Sequence, residues 1–163
     1  MDFFNIVDRI NEESPYKVML HNESGACLFF TTDQDLTYIV SFIKDDSFAD
    51  DLNSNAYHFL FKERDDKRSK YDAKVKLTIS IIAMRFIEDT EKIVFFICDA
   101  KDNRENARSI LFDKWFHELN QNGEYYKHDR RMDYPDCAVL FSFICRSQNP
   151  YIQKCVDVIN ESF

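Results

Sequence analysis

Glycine is almost absent from this chain. Gly25 and Gly123 are its two glycines in 163 residues, and neither lies in the charged stretch KERDDKRSKYDAKVK at residues 62–76. A loop that cups a diphosphate works by bringing bare backbone amides close to the phosphate oxygens. Side chains at every position of this stretch hold such donors back. Asp65, Asp66 and Asp72 would also repel an anion at short range.

Other shortages exclude further classes. The five cysteines, at 27, 98, 137, 145 and 155, are odd in number and form no Cys-x-x-Cys pair. Most lie in apolar runs, where a reduced thiol behaves as a small hydrophobe, so a reducing compartment is expected. The four histidines are scattered without metal-ligand spacing, which argues against zinc. Basic residues are outnumbered, 21 Lys and Arg against 29 Asp and Glu, for a net charge of −8. An unassisted nucleic-acid binder needs a concentrated basic face, so that class is set aside. No apolar run approaches the roughly 20 residues that span a bilayer. The opening MDFFNIVDRINEES lacks the basic region of a signal peptide. The expected setting is cytoplasmic, with no membrane association.

What remains is rich in bulky apolar residues: sixteen Phe and eight Tyr in a chain that is 45% hydrophobic. That supply is enough for one packed domain spanning 1–163. Residues 2–13 read as a short amphipathic helix ended by Pro15. YKVML, CLFFTT, LTYIVSFI and AYHFLFKE read as four strands on short connections, an antiparallel meander. KDDSFADDLNSN, between the third and fourth, reads as an acidic loop. From Ala73 to about Glu88 the apolar spacing becomes helical, with Asp72 as N-cap and Val75, Ile79, Ile82 and Phe86 as one stripe. Leu77, Ile81 and Met84 widen that stripe.

KIVFFIC is a continuous apolar run, expected as a strand buried on both faces. It leads to CDAKDNRENARSILFDKWF, where Asp102 and Glu105 have capping-box spacing at the start of a second helix. Ala107, Leu111, Trp115 and Leu119, with Phe112 and Phe116, form its expected buried face, and Gly123 its left-handed ending. A hairpin turns at DYPD. Asn149-Pro150 opens a last helix lined by Ile152, Cys155, Val156, Ile159 and Phe163. The fold class is therefore α+β: a mainly antiparallel sheet built as four-strand meander, helix-strand-helix, closing hairpin and C-terminal helix. Strands linked through a helix add a parallel pair near its middle.

Over about residues 16–145 this order resembles the GCN5-related N-acetyltransferases. Asn103, Asn106, Ala107, Leu111 and Phe116 stand where that superfamily carries its Asn-x-x-Ala helix after the central strand. The resemblance implies an acetyltransferase-like core. It also implies acetyl-coenzyme A as cofactor, held by a Gly-rich loop that is missing at residues 62–76. A second resemblance is to a family of short bacterial proteins that brings no assigned activity. Asp72, Thr78-Ile79, Cys98-Asp99, Asp102-Asn103-Arg104, Arg108 with Leu111-Phe112, and Trp115-Phe116 carry it.

One corner is a candidate ligand site. Asp99 follows the central strand, where α/β sheets often meet ligands. Asp102 opens the next helix, and Arg104 and Arg108 share one of its faces at i, i+4. Together Asp99, Asp102, Arg104 and Arg108 could receive a carboxylate or phosphate, although turn, cap and surface roles explain the same residues. Asp99-Ala100-Lys101 resembles half of a metal-dependent nuclease site, but a helix precedes where a second aspartate-bearing strand is required. The acidic segments Asp33–Asp35 and Asp45–Asp51 could face a basic protein partner. Without a coenzyme loop or a catalytic constellation, the expected role is a non-catalytic binding or regulatory protein with no bound cofactor. The alternative is a divergent acyl-coenzyme A N-acyltransferase using Lys67, Arg68 and Lys70 in place of backbone amides.

Overall fold

The computed structural model describes residues 3–21, 27–53, 55–67, 72–98 and 113–162. The chain divides into two compact units. One is formed by Met1–Ile43 with His58–Glu88, the other by Lys44–Tyr57 with Asp89–Phe163.

In the first unit, helix α1 (Phe3–Glu13) buries Ile10 completely. Pro15 cannot continue it, and the amide of Ser14 makes the last bond, to Ile10 O. Of the expected first strand only β1 (Met19–Leu20) pairs as a strand. Val18 ahead of it spends both backbone groups on the Asn11 carboxamide, at 2.8 and 2.9 Å. Strands β2 (Cys27–Thr31) and β3 (Thr37–Lys44) extend the sheet antiparallel, with Met19 opposite Phe29 and Phe29 opposite Ile39. Strand β4 (Ala56–Glu63) has the bounds expected of AYHFLFKE.

Alternation sends Leu28, Phe30, Val40, Phe42 and Phe59 to one side, where all are buried. Helix α3 (Ala73–Phe86) closes that side, its Phe86 ring stacked 3.8 Å from that of Phe42. Val75, Ile79, Ile81, Ile82 and Phe86 are buried as the spacing implies. Leu77, expected to widen the stripe, is instead 40% exposed. Arg85 of α3 bonds Glu13 and Glu88, and Arg9 reaches Glu88 at 2.5 Å, tying α1 to α3.

The second unit corrects the acidic loop. Asp45 accepts from the Ser47 amide at 2.9 Å and starts a 3-10 turn (Asp46–Phe48) that runs into one helical turn, α2 (Ala49–Leu52). Apolar anchors explain it: Leu52 is fully buried and the Phe48 ring lies 5.6 Å from that of Phe95. Strand β5 (Ile93–Cys98) starts beside the start of β4, the Ile93 amide donating to Asn55 O at 2.9 Å. Burial on both faces holds for Ile93 to Phe96, whereas Ile97 is 48% exposed.

Residues 113–119 are helical and are called α4. The capping box at Asp102 and Glu105 and the apolar residues 107, 111 and 112 lie outside the described residues. Trp115 and Phe116 are buried, but Leu119, expected on the same face, is exposed. Gly123 has φ +66. It stands four residues past the last helical residue, in the turn to the hairpin, rather than at the helix end. The hairpin is β6 (Tyr125–Asp133) with β7 (Ala138–Arg146), and β7 also pairs antiparallel with β5. Asn149 caps α5 (Ile152–Ser162), its carboxamide oxygen accepting from the Tyr151 amide at 2.8 Å. Cys155 and Ile159 of that helix join Phe95, Phe141, Phe143 and Cys145 in a core cluster.

The strand order is β1-β2-β3-β4-β5-β7-β6, a seven-stranded sheet that is mostly antiparallel. The α+β class follows.

Candidate functional site

Asp99, Asp102, Arg104 and Arg108, the expected anion corner, all lie outside the described residues. So do Arg68 and Lys70 of the alternative reading. Apart from the Arg85 network between α1 and α3, two polar constellations stand out among the described residues, one in each unit.

The first surrounds the glycine-free loop into α3. Glu63, the last residue of β4, turns its side chain inward and is 9% exposed. Its Oε2 accepts from the backbone amides of Asp65, at 3.0 Å, and Lys67, at 2.6 Å. Asp66 between them adopts φ 54, the left-handed conformation that turns successive amides toward one point. The chain thus builds a small anion-binding concavity and fills it with its own carboxylate. At the helix start, Asp72 Oδ1 accepts from the Lys74 amide at 2.8 Å, which engages one of the free donors of the first turn. Among the described residues of this loop, the amides of Asp65 and Lys67 are taken by Glu63 and that of Lys74 by Asp72, an arrangement that does not suit a bound diphosphate there.

Asp72 is itself held from behind. The Tyr16 hydroxyl donates to Asp72 Oδ2 at 2.6 Å, and Asp33 Oδ2 lies 3.4 Å from the same hydroxyl. Lys74 Nζ pairs with Asp33 Oδ2 at 2.9 Å and lies 5.6 Å from the Tyr16 ring centre. Burial, and then the bond to Asp72, push the Tyr16 phenol up to about 12. The bond from Tyr16 holds the Asp72 carboxyl below the usual carboxylate range, outweighing its desolvation. Asp33 raises the Lys74 ammonium through a hydrogen bond and its charge. Asp33, expected only as part of an acidic segment, is therefore already neutralised.

The second constellation lies on β6 and β7. Lys127, whose side chain is 6% exposed, places Nζ 2.6 Å from Asp113 Oδ1 and bonds Asp129. Ser142, fully buried and opposite Asp129 in the register, donates its hydroxyl to the same aspartate. The Phe96 ring centre is 6.0 Å from Nζ. A buried serine already committed to a carboxylate is poorly placed to attack a substrate. The cluster neutralises a lysine beneath α4. Lys127 and Asp129 lie two apart in a strand and so share a face, a pattern readable in YKHDRRM. Asp113 and Ser142 arrive from elsewhere in the chain, so no local spacing announces them.

Among the described residues no group of three or more His, Cys, Asp or Glu side chains converges as for a metal ion. Nor is any described helix long and apolar enough to cross a membrane.

These features define an α+β protein whose polar clusters are bonded mainly within themselves, although Glu63 Oε1 is buried without a hydrogen-bond partner. Residues 71–161, more than half of the chain, match a family of unknown function, DUF6169, and the chain belongs to that family. No curated protein matches it. Among solved structures it is similar to a CoA-dependent acyl-homoserine lactone synthase, MesI. The identity is 9%, covering 85% of this chain and 70% of the other, with a TM-score of 0.40. A likeness at that level carries no argument about activity.

Proposed function

We propose that this chain is a non-catalytic binding or regulatory protein of the cytosol, with an acetyltransferase-like core that has given up coenzyme binding. One observation carries the reading: the Glu63 carboxylate occupies the loop amides a diphosphate would need. Free, buried thiols at Cys145 and Cys155 suit a reducing compartment. The partner is a protein with a basic surface, met by the segment around α2. There Asp46, Asp50 and Asp51 are exposed while Phe48 and Leu52 anchor the backbone. Asp50 and Asp51 of this segment supply the charge, because Asp33 is paired with Lys74 and Asp46 lies 3.9 Å from Lys44.

Calorimetric titration with acetyl-coenzyme A separates this reading from the divergent acyltransferase. A flat trace at millimolar ligand is expected. Saturable heat, abolished by reversing Lys67, would establish the acyltransferase instead.

A further inference from the structure

The sheet of the first unit has two faces, and the helices account for one. Leu28, Phe30, Val40, Phe42 and Phe59 point toward α3 and are buried. Strand alternation sends Met19, Phe29, Ile39, Ile43 and Leu60 the other way. Met19 is 40%, Ile43 52% and Leu60 50% exposed; Phe29 and Ile39 are half-buried. The register makes these residues neighbours, since Met19, Phe29 and Ile39 stand in one row across β1, β2 and β3. The bonds Asp45 N to Ala56 O and Arg64 N to Thr37 O align β4 antiparallel to β3, which sets Leu60 opposite Ser41 and Lys62 opposite Ile39. A contiguous apolar patch of this kind on a sheet marks an interaction surface.

Its charge is the second observation. No aspartate or glutamate occupies a strand position on this face among the described residues, in a chain of net charge −8. Glu63 points inward, and Asp33 and Asp72 belong to the Tyr16 cluster on the opposite side. Its lysines are positive: Lys62 stands on it and Lys17 is exposed beside Met19, while half-buried Asp45 follows Ile43 at the other end. Arg64, paired with Asp65, is at the margin.

We infer that this face of β1–β4 is a docking surface for an acidic, amphipathic protein segment, an apolar stripe flanked by carboxylates. The apolar row supplies the buried area and the positive rim selects the sign of the partner. A second copy in two-fold contact would set Lys62 and Lys17 against like charges. The usual element that lies in a bilayer surface is an amphipathic helix, whereas this face is a sheet. The inference does not rest on the acidic segment around α2, and each reading has its own test.

The test uses the full chain and two fluorescein-labelled helical peptides with the same leucine stripe at i, i+3, i+4 and i+7. One carries Glu at the remaining positions, the other Lys. Fluorescence anisotropy is expected to favour the Glu peptide by about tenfold or more, a difference of about 1.4 kcal/mol. Added salt should narrow the gap. Methyl resonances of Met19, Ile39, Ile43 and Leu60 should shift on binding. Lys62→Glu, an exposed change that leaves the core alone, should reverse the peptide preference, and Leu60→Asp should weaken both peptides. Equal binding of the two peptides, or shifts confined to other residues, overturns the inference. So does a dimer in sedimentation that Leu60→Asp abolishes, or binding to phosphatidylglycerol vesicles in place of the peptides.

Discussion

The Tyr16 hydroxyl lies 2.6 Å from Asp72 Oδ2, joining the approach to β1 to the N-cap of α3 across 56 residues of chain. Asp72 meanwhile uses its other oxygen on the Lys74 amide, so one carboxylate both caps a helix and receives a buried phenol. Tyr16→Phe should cost about 1.5–3 kcal/mol in urea unfolding at pH 7, the range for a hydrogen bond to a charged acceptor. The pH dependence has two limbs. Asp72 has a lowered folded-state pKa, so its contribution is present above pH 4 and lost as pH falls through the folded value. Tyr16 is raised to about 12, so its contribution is complete below pH 10 and lost between pH 10 and 12. Tyr16→Phe should flatten both limbs. Retention of both slopes in the variant would break the assignment.

Glu63 makes a prediction about the loop. Glu63→Ala leaves the Asp65 and Lys67 amides without their acceptor. It should lower stability by about 1–3 kcal/mol and speed hydrogen exchange at both amides. Glu63→Gln keeps one acceptor oxygen and should cost less. Asp66 at φ 54 sits where glycine is unstrained, so Asp66→Gly should leave stability unchanged or slightly raised. Unaltered exchange at residues 65 and 67 in Glu63→Ala would show that the carboxylate does not hold them.

Much of this architecture is legible in local pattern. The bounds of β4, the N-cap at Asp72, the stripe of α3 and the hairpin all follow from alternation, spacing and turn residues. Most of the misses share a cause: they depend on a partner distant in the chain. Leu52 and Phe48 fold the acidic segment into helical turns because β5 offers Phe95. Leu77 and Leu119 fit their helical stripes yet stay 40% and 39% exposed. The candidate site divides in the same way. A glycine-free loop is plain in the sequence and excludes bare amides. That Glu63 takes those amides for itself depends on a left-handed Asp66, which composition alone does not reveal.

Lys127 is the lysine whose removal should matter most on the hairpin. Its ammonium is nearly sealed between Asp113 and Asp129, which keep 44% and 36% of their side-chain exposure. Breaking a fully buried pair costs about 3–5 kcal/mol. Here the aspartates can rehydrate, so Lys127→Met should cost about 2 kcal/mol, read as a lower urea midpoint. Asp113→Asn alone should cost less, because Asp129 remains to balance the lysine. A larger loss from Asp113→Asn than from Lys127→Met would mean that Lys127 is not the centre of the cluster.

The thiols give a prediction that needs no variant. Cys137 is exposed and Cys27 half-buried, whereas Cys145 and Cys155 are fully buried in the core between β7 and α5. Thiolate is the reactive species, and burial pushes Cys145 up to about 12 and Cys155 higher still, with Cys145 adding to the shift. Native protein treated with an aromatic disulfide reagent at pH 7.5 should therefore label Cys137 quickly and Cys27 more slowly. Cys145 and Cys155 should react only at the rate of unfolding, and urea should bring both into the fast phase together. The same burial sets a stability slope. Both folded-state values lie above the unfolded value near 8.5, so the contribution is complete below that pH. It is lost progressively as pH rises toward 12, since only the unfolded chain can release those protons. Rapid labelling of Cys155 in the native protein, with no matching loss of structure, would mean that α5 opens away from β7 on its own.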